Sequence, residues 1–149
     1  MGNRVVVTGL GCVSPLGNDV STTWEACSNG KSGIDRITHF DPKALRCQIA
    51  GEIKDFELPD IVPQKEAKKM DLFIQYSIKA TQEALLDANF EITEDLEEDV
   101  GVSMGVGIGG LGCIERYSRI IDDYGPKRVS PFFIPVSYTH LTLPTKRIV

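Results

Sequence analysis

The sequence has no long hydrophobic run: nothing in its 149 residues approaches the roughly 18 successive apolar side chains of a membrane-spanning helix. The apolar stretch near the start, Val5-Val6-Val7, is too brief for the core of a secretory signal. Histidine is scarce, with two in the chain, and tryptophan occurs once. The four cysteines, Cys12, Cys27, Cys47 and Cys113, are widely spaced and form no CxxC pair. That spacing argues against a disulfide framework and, with so little histidine, against a zinc site. A basic excess is also missing. The 16 Lys+Arg against 21 Asp+Glu give a net charge of −5, which disfavours wholesale binding to nucleic acid or to an anionic membrane. The expectation is a cytoplasmic protein with no metal and no cofactor.

What is present fits one globular domain, 42% hydrophobic and 25% charged. Residues 4–8 form a β-branched run closed by Gly9-Leu10-Gly11, which predicts a buried strand and a tight turn. After the loop Ser14-Pro15-Leu16-Gly17-Asn18, Asp19 or Ser21 can cap a helix over residues 20–27, stopped at Asn29-Gly30. Residues 31–62 read as irregular, with a weak strand at 48–53. The clearest helix is predicted over 63–89, opened by Pro63 and carrying Ala67, Met70, Phe73, Ile74, Ile78, Ala84 and Leu85 at helical spacing. Residues 91–99 hold six carboxylates and read as a solvated loop. A second buried strand is predicted over 99–106, then a glycine run, then a helix to Tyr124 ended by Gly125-Pro126. Residues 127–135 read as a loop. The order is α/β, yet two strands are too few for a freestanding parallel sheet, so the organisation looks incomplete.

The last residues, 136–149, resemble the conceptual translation of a transposase sequencing adapter. Such a scar is excluded from fold reasoning, which leaves residues 1–135 as the natural segment. Without Lys146 and Arg147, Lys+Arg falls from 16 to 14 against 21 acids, a net charge of −7. His140 goes too, and His39 becomes the only histidine.

Three features could carry chemistry. Gly105-x-Gly107-x-x-Gly110, between a predicted strand and a predicted helix, has the form of a dinucleotide fingerprint. No strand ending in a ribose-binding acid follows within about 20 residues, so close backbone packing is the better account. On the predicted long helix, Lys65, Lys68 and Lys69 share one face, with Ala67, Met70, Ile74, Ser77 and Leu85 roughly opposite. Lysines in a first turn sit at the unfavourable end of the helix dipole. In an acidic protein they suggest a docking patch for an acidic partner, against the plainer reading of a solvated face. The cysteines lack a basic or helix-N-terminal setting with a histidine base, so each reads as a small packing residue. His39 reads as structural, and no nucleophile–base–orienter set can be assembled.

Together, Val5-Val6-Val7-Thr8-Gly9-Leu10-Gly11, Ser14-Pro15-Leu16-Gly17, Ser32-Gly33-Ile34, His39-Phe40-Asp41, residues 68–76, Gly107-Ile108-Gly109-Gly110-Leu111 and residues 130–135 resemble the β-ketoacyl-[acyl-carrier-protein] synthases, type II in particular. The likeness spans residues 3–135, roughly the first third of a complete enzyme. It implies the N-terminal part of a thiolase-like fold with α-β-α-β-α layers, and a homodimer. It also implies a fatty-acid condensing activity, in which an acyl chain on a cysteine condenses with malonyl on acyl-carrier protein as carbon dioxide leaves. That cysteine and its two histidines match nothing in this chain, so no catalytic residue is expected and the chain alone should be inactive. The resemblance assigns Lys65, Lys68 and Lys69 to the patch receiving the acidic carrier. It places Ile108 beside the acyl pocket and dimer contact, and Phe133 reaching toward the partner subunit's pocket. A type I or polyketide ketosynthase and a non-catalytic carrier-docking module are the alternatives.

Overall fold

The structure is a computed structural model and describes Gly2, residues 4–131 and Phe133. The expected tail at 136–149 lies outside these residues. The described elements are α1 (Val20–Ser28), β1 (Ile34–Arg36), β2 (Ile49–Gly51), α2 (Gln64–Ala67), α3 (Leu72–Asp87), α4 (Leu111–Tyr124) and a 3-10 turn at Pro126–Arg128. The chain divides into two compact units, Met1–Glu57 with Lys79–Phe90, and Leu58–Ile78 with Glu91–Val149.

The first unit is organised by the second half of α3. Gly9 and Gly11 lie directly on its backbone: a side chain at Gly11 would overlap the Ala80 carbonyl oxygen, and one at Gly9 would overlap that of Ala84. Only glycine permits this approach. It lets the Leu10 amide donate to Asp87 (2.9 Å) and the Cys12 amide to Glu83 Oε2 (2.9 Å). Glu83 Oε1 also accepts from the Val20 amide (2.8 Å), so one carboxylate ties the glycine turn to the start of α1. Ser14 and Gly17 close a tight turn around Pro15 through backbone bonds of 2.8 and 3.2 Å. Asn18 donates its side-chain amide to the carbonyls of Lys54 and Asp55, anchoring the loop before α1.

Helix α1 begins where its sequence says it should. Asp19 is extended and its carboxylate accepts from the Thr22 amide at 2.7 Å. That hydrogen bond, opposed by partial burial, holds the Asp19 carboxyl below its ordinary value of 3.8. Burial pushes the Glu52 carboxyl up, but donation from the Thr38 hydroxyl and from the Thr38 and His39 amides outweighs it and leaves the group below 4.5. Both pKa values are depressed on folding. Their contribution is therefore present above the unfolded values and is lost as pH falls through the folded ones. Thermal unfolding should shift downward below about pH 4, and Asp19→Asn with Glu52→Gln should flatten that slope. At neutral pH, Asp19→Ala should cost about 1 kcal/mol in urea unfolding.

The weak strand expected at 48–53 is β2. Its partner β1 was not expected, because 31–62 read as irregular. The two pair antiparallel with Ile34 opposite Gly51 and Arg36 opposite Ile49. Ile34-Asp35-Arg36-Ile37 has no apolar/polar alternation, so the sequence carried no period-2 signal for β1.

Two expected strands do not form. Residues 4–8 and 99–106 join no ladder among the described residues. Val5, Val6 and Val7 are 91%, 59% and 80% exposed. An apolar run marks a segment that can be buried, but a strand also needs a neighbour to hydrogen-bond, and the described residues offer none. Without a strand before it, the glycine run loses the context of a dinucleotide site. Gly105 and Gly107 face open space; close packing occurs instead at Gly109, whose added Cβ would meet the Phe73 ring at 3.0 Å.

In the second unit, Val62, Ile74 and Ile78 are buried, with Leu58, Ala67, Met70 and Phe73 packed against them. The single helix expected over 63–89 is broken. Pro63 is the N-cap of α2 rather than its first residue, Lys68 is its C-cap, and α3 starts at Leu72. The break is stabilised by Gln75, whose side-chain amide donates to the carbonyls of Ala67 and Met70, both at 3.2 Å. The Ala67 carbonyl also accepts from the Met70 amide at 3.1 Å, an i→i+3 bond that closes the end of α2. Asp71 accepts from the Leu72 amide, and its carbonyl accepts from Ile74. Helix α4 ends at Tyr124 as predicted and starts at Leu111, inside the glycine run, with Gly110 (φ 71°) before it and Gly125 (φ 80°) after it. No described helix is long and apolar enough to cross a membrane.

Candidate functional site

The break between α2 and α3 changes how the lysines are displayed. They do not share one face of one helix: Lys65 lies on α2, Lys68 caps its C-terminus, and Lys69 follows in the turn. The dipole argument is overturned with it. Lys68 and Lys69 stand at a helix C-terminal end, where positive charge is favoured. All three are exposed. Lys69 pairs with Glu66 at 2.8 Å, an exposed ion pair of small energetic weight.

Lys68 and Lys69 line an open cleft of about 400 Å³. Cys113, Arg116, Tyr117 and Ile120 of α4 line it too, with Arg128, Ser130 and Phe133. Spacings of three, one and three residues put Cys113, Arg116, Tyr117 and Ile120 on one helical stripe. Cys113 is buried. The Arg116 guanidinium lies 3.7 Å from its sulfur and 5.4 Å from the Tyr117 ring centre. Tyr117 packs against Phe133 with centroids 4.6 Å apart. On α3, burial and then the Asp71 charge push the Tyr76 hydroxyl above its ordinary value of 10.0.

Of the residues singled out from sequence, the cleft gathers Lys68, Lys69 and Phe133. Lys65 and Ile108 are not among its lining residues, and Ile108 is 75% exposed in the bend before α4. Cys113, Arg116, Tyr117 and Arg128 were missed as site residues. Their helical stripe and the Lys127-Arg128 pair after Gly125-Pro126 were visible signals. His39 stands 3.9 Å from Glu52, and no cysteine is hydrogen-bonded to a histidine among the described residues. No group of three metal-ligating side chains occurs among them either.

The sequence profile described as "Beta-ketoacyl synthase, N-terminal domain" matches residues 2–142. The chain belongs to this family. Its match runs past the expected junction at Pro135. A 3-oxoacyl-[acyl-carrier-protein] synthase 2 of Staphylococcus aureus (strain COL) is 47% identical over 133 residues, 89% of this chain and 32% of the relative. The synthase 2 of Vibrio harveyi is 47% identical over 138 residues, 93% of this chain and 33% of the relative. Among solved structures, a β-ketoacyl synthase from Burkholderia phymatum STM815 aligns with a TM-score of 0.70 at 24% identity, covering 88% of this chain and 33% of its own. The ishigamide ketosynthase/chain length factor aligns at 0.67 and 25% identity, covering 89% and 33%. The fold is thus an N-terminal portion of the ketosynthase α/β architecture. The chain spans about a third of the length of these relatives.

Proposed function

We propose that this chain is the carrier-docking N-terminal portion of a fatty-acid condensing enzyme, an acyltransferase that makes 3-oxoacyl-carrier protein by decarboxylative condensation. The observation that carries the reading is the 47% identity to synthase 2 relatives across 89–93% of the chain. Lys65, Lys68 and Lys69 receive the acidic carrier. Their exposure supports this, as does their position in a protein of net charge −5, where a cationic patch is a local exception.

Ile108 and Phe133 are assigned to the acyl pocket and dimer contact of the assembled homodimer. The exposure of Ile108 is consistent with a surface that a second subunit covers. Residues 136–149 are read as a non-native tail on the adapter resemblance. Among the described residues no cysteine is hydrogen-bonded to a histidine, which supports a chain that binds carrier without turning it over.

The test is direct binding of an acyl-carrier protein to the chain. Lys65→Glu, Lys68→Glu and Lys69→Glu together should weaken it by about tenfold, chiefly through a salt-sensitive association rate. Unchanged binding in the triple variant would remove the docking assignment, and 3-oxoacyl product formed by the wild-type chain alone would remove the division of labour.

A further inference from the structure

The cleft between the α2–α3 turn and α4 has more positive charge than docking at Lys65, Lys68 and Lys69 requires. Lys68, Lys69, Arg116 and Arg128 all line it. Lys69 has Glu66 as a counterion. Among the described residues Lys68, Arg116 and Arg128 have no carboxylate within ion-pair distance. Cations gathered on one concave surface repel one another, and a bound anion relieves that repulsion.

The residue types narrow the anion. Two guanidinium groups provide planar, multi-donor forks that match the oxygens of a phosphate, and two ammonium groups add point charge. A single carboxylate would neutralise one of these four cations; a phosphate monoester, with charge near −2 and three acceptor oxygens, answers the cluster better. Arg116 is held at the cleft by Cys113 and the Tyr117 ring, neither of which neutralises it. The remaining wall is apolar, made of Tyr117, Ile120 and the Tyr117–Phe133 aromatic pair. Its volume of about 400 Å³ lies in the range of small-molecule sites and exceeds what inorganic phosphate fills.

We propose that this cleft is a binding site for a phosphate monoester. Its phosphoryl group is held by Arg116, Arg128 and Lys68, and its organic part lies along Tyr117 and Ile120. The site shares Lys68 and Lys69 with the docking patch but does not rest on that reading, since Arg116 and Arg128 are its defining cations and Lys65 is outside it.

Phosphorus NMR titrations of the 149-residue chain with inorganic phosphate and with phenyl phosphate test it, at constant ionic strength set with sodium chloride. Phenyl phosphate should bind several-fold tighter than inorganic phosphate, through the aromatic wall. Arg116→Gln and Arg128→Gln should each weaken phenyl phosphate about tenfold, the loss expected for a charge-assisted hydrogen bond. Arg116→Lys should retain part of the affinity. Lys65→Glu should leave it unchanged while weakening carrier binding, which separates failure of this site from failure of the docking assignment. Arg116 and Arg128 are exposed, so their substitutions do not threaten folding. Phenyl phosphate binding that chloride abolishes at matched ionic strength, or that survives Arg116→Gln and Arg128→Gln undiminished, overturns the proposal.

Discussion

Gly11→Ala is expected to cost about 3 kcal/mol of stability, from overpacking and a lost charge-assisted hydrogen bond. The added methyl group would occupy the position of the Ala80 carbonyl oxygen on α3. Backbone, unlike the end of a long side chain, cannot swing aside. The segment must lift off the helix, and lifting it stretches the bond from the Cys12 amide to Glu83. Gly101→Ala is the control, because nothing lies within 4 Å of a Cβ there. Urea unfolding followed by far-ultraviolet circular dichroism should show a large drop in midpoint for the first variant and almost none for the second. Equal effects at the two positions would mean that the glycine turn does not rest on α3.

Glu83→Ala should be nearly as damaging, at about 3 kcal/mol, because hydrogen bonds to a charged group contribute roughly 1.5–3 kcal/mol each. Glu83 accepts from Cys12 with one oxygen and from Val20 with the other, at 2.9 and 2.8 Å. Its loss leaves a turn amide and an amide of the first turn of α1 without their acceptor. Glu83→Gln should not rescue this. The Gln side chain has one acceptor oxygen, and its NH₂ would face a backbone N–H. Asp87→Ala removes a single bond, to the Leu10 amide, and should cost less than half as much. The ranking is readable from urea midpoints of the three variants. Full recovery in Glu83→Gln would show that the two bonds are not both made.

These two predictions rest on contacts that no local pattern announces. Glu83 is more than 70 residues from Gly9 and Gly11 in sequence, and the sequence marks the glycines only as a turn. The same limit explains the errors about the long helix. Apolar residues keep helical spacing through 68–71, so periodicity runs straight across the break. What ends α2 is Gln75 reaching back eight residues to Ala67. Strand β1 is equally non-local, since its three residues are defined by pairing with β2. The runs at 4–8 and 99–106 erred in the opposite direction: hydrophobicity promised strands that pairing did not deliver.

The amino-acid sequence by itself determined the helices whose ends are local chemistry. Asp19 starts α1, and Gly125 ends α4, because caps act within a turn of the residue that makes them. It also determined the family, whose motifs are written in order along the chain. Only the tertiary structure decided that Lys68 and Lys69 line one cleft with Arg116 and Arg128 while Lys65 is not among its lining residues. Charge is a property of each residue, but a site is a property of distances. Those distances were settled by a helix break that removed the lysines from a common face and by a stripe on α4 more than 40 residues downstream.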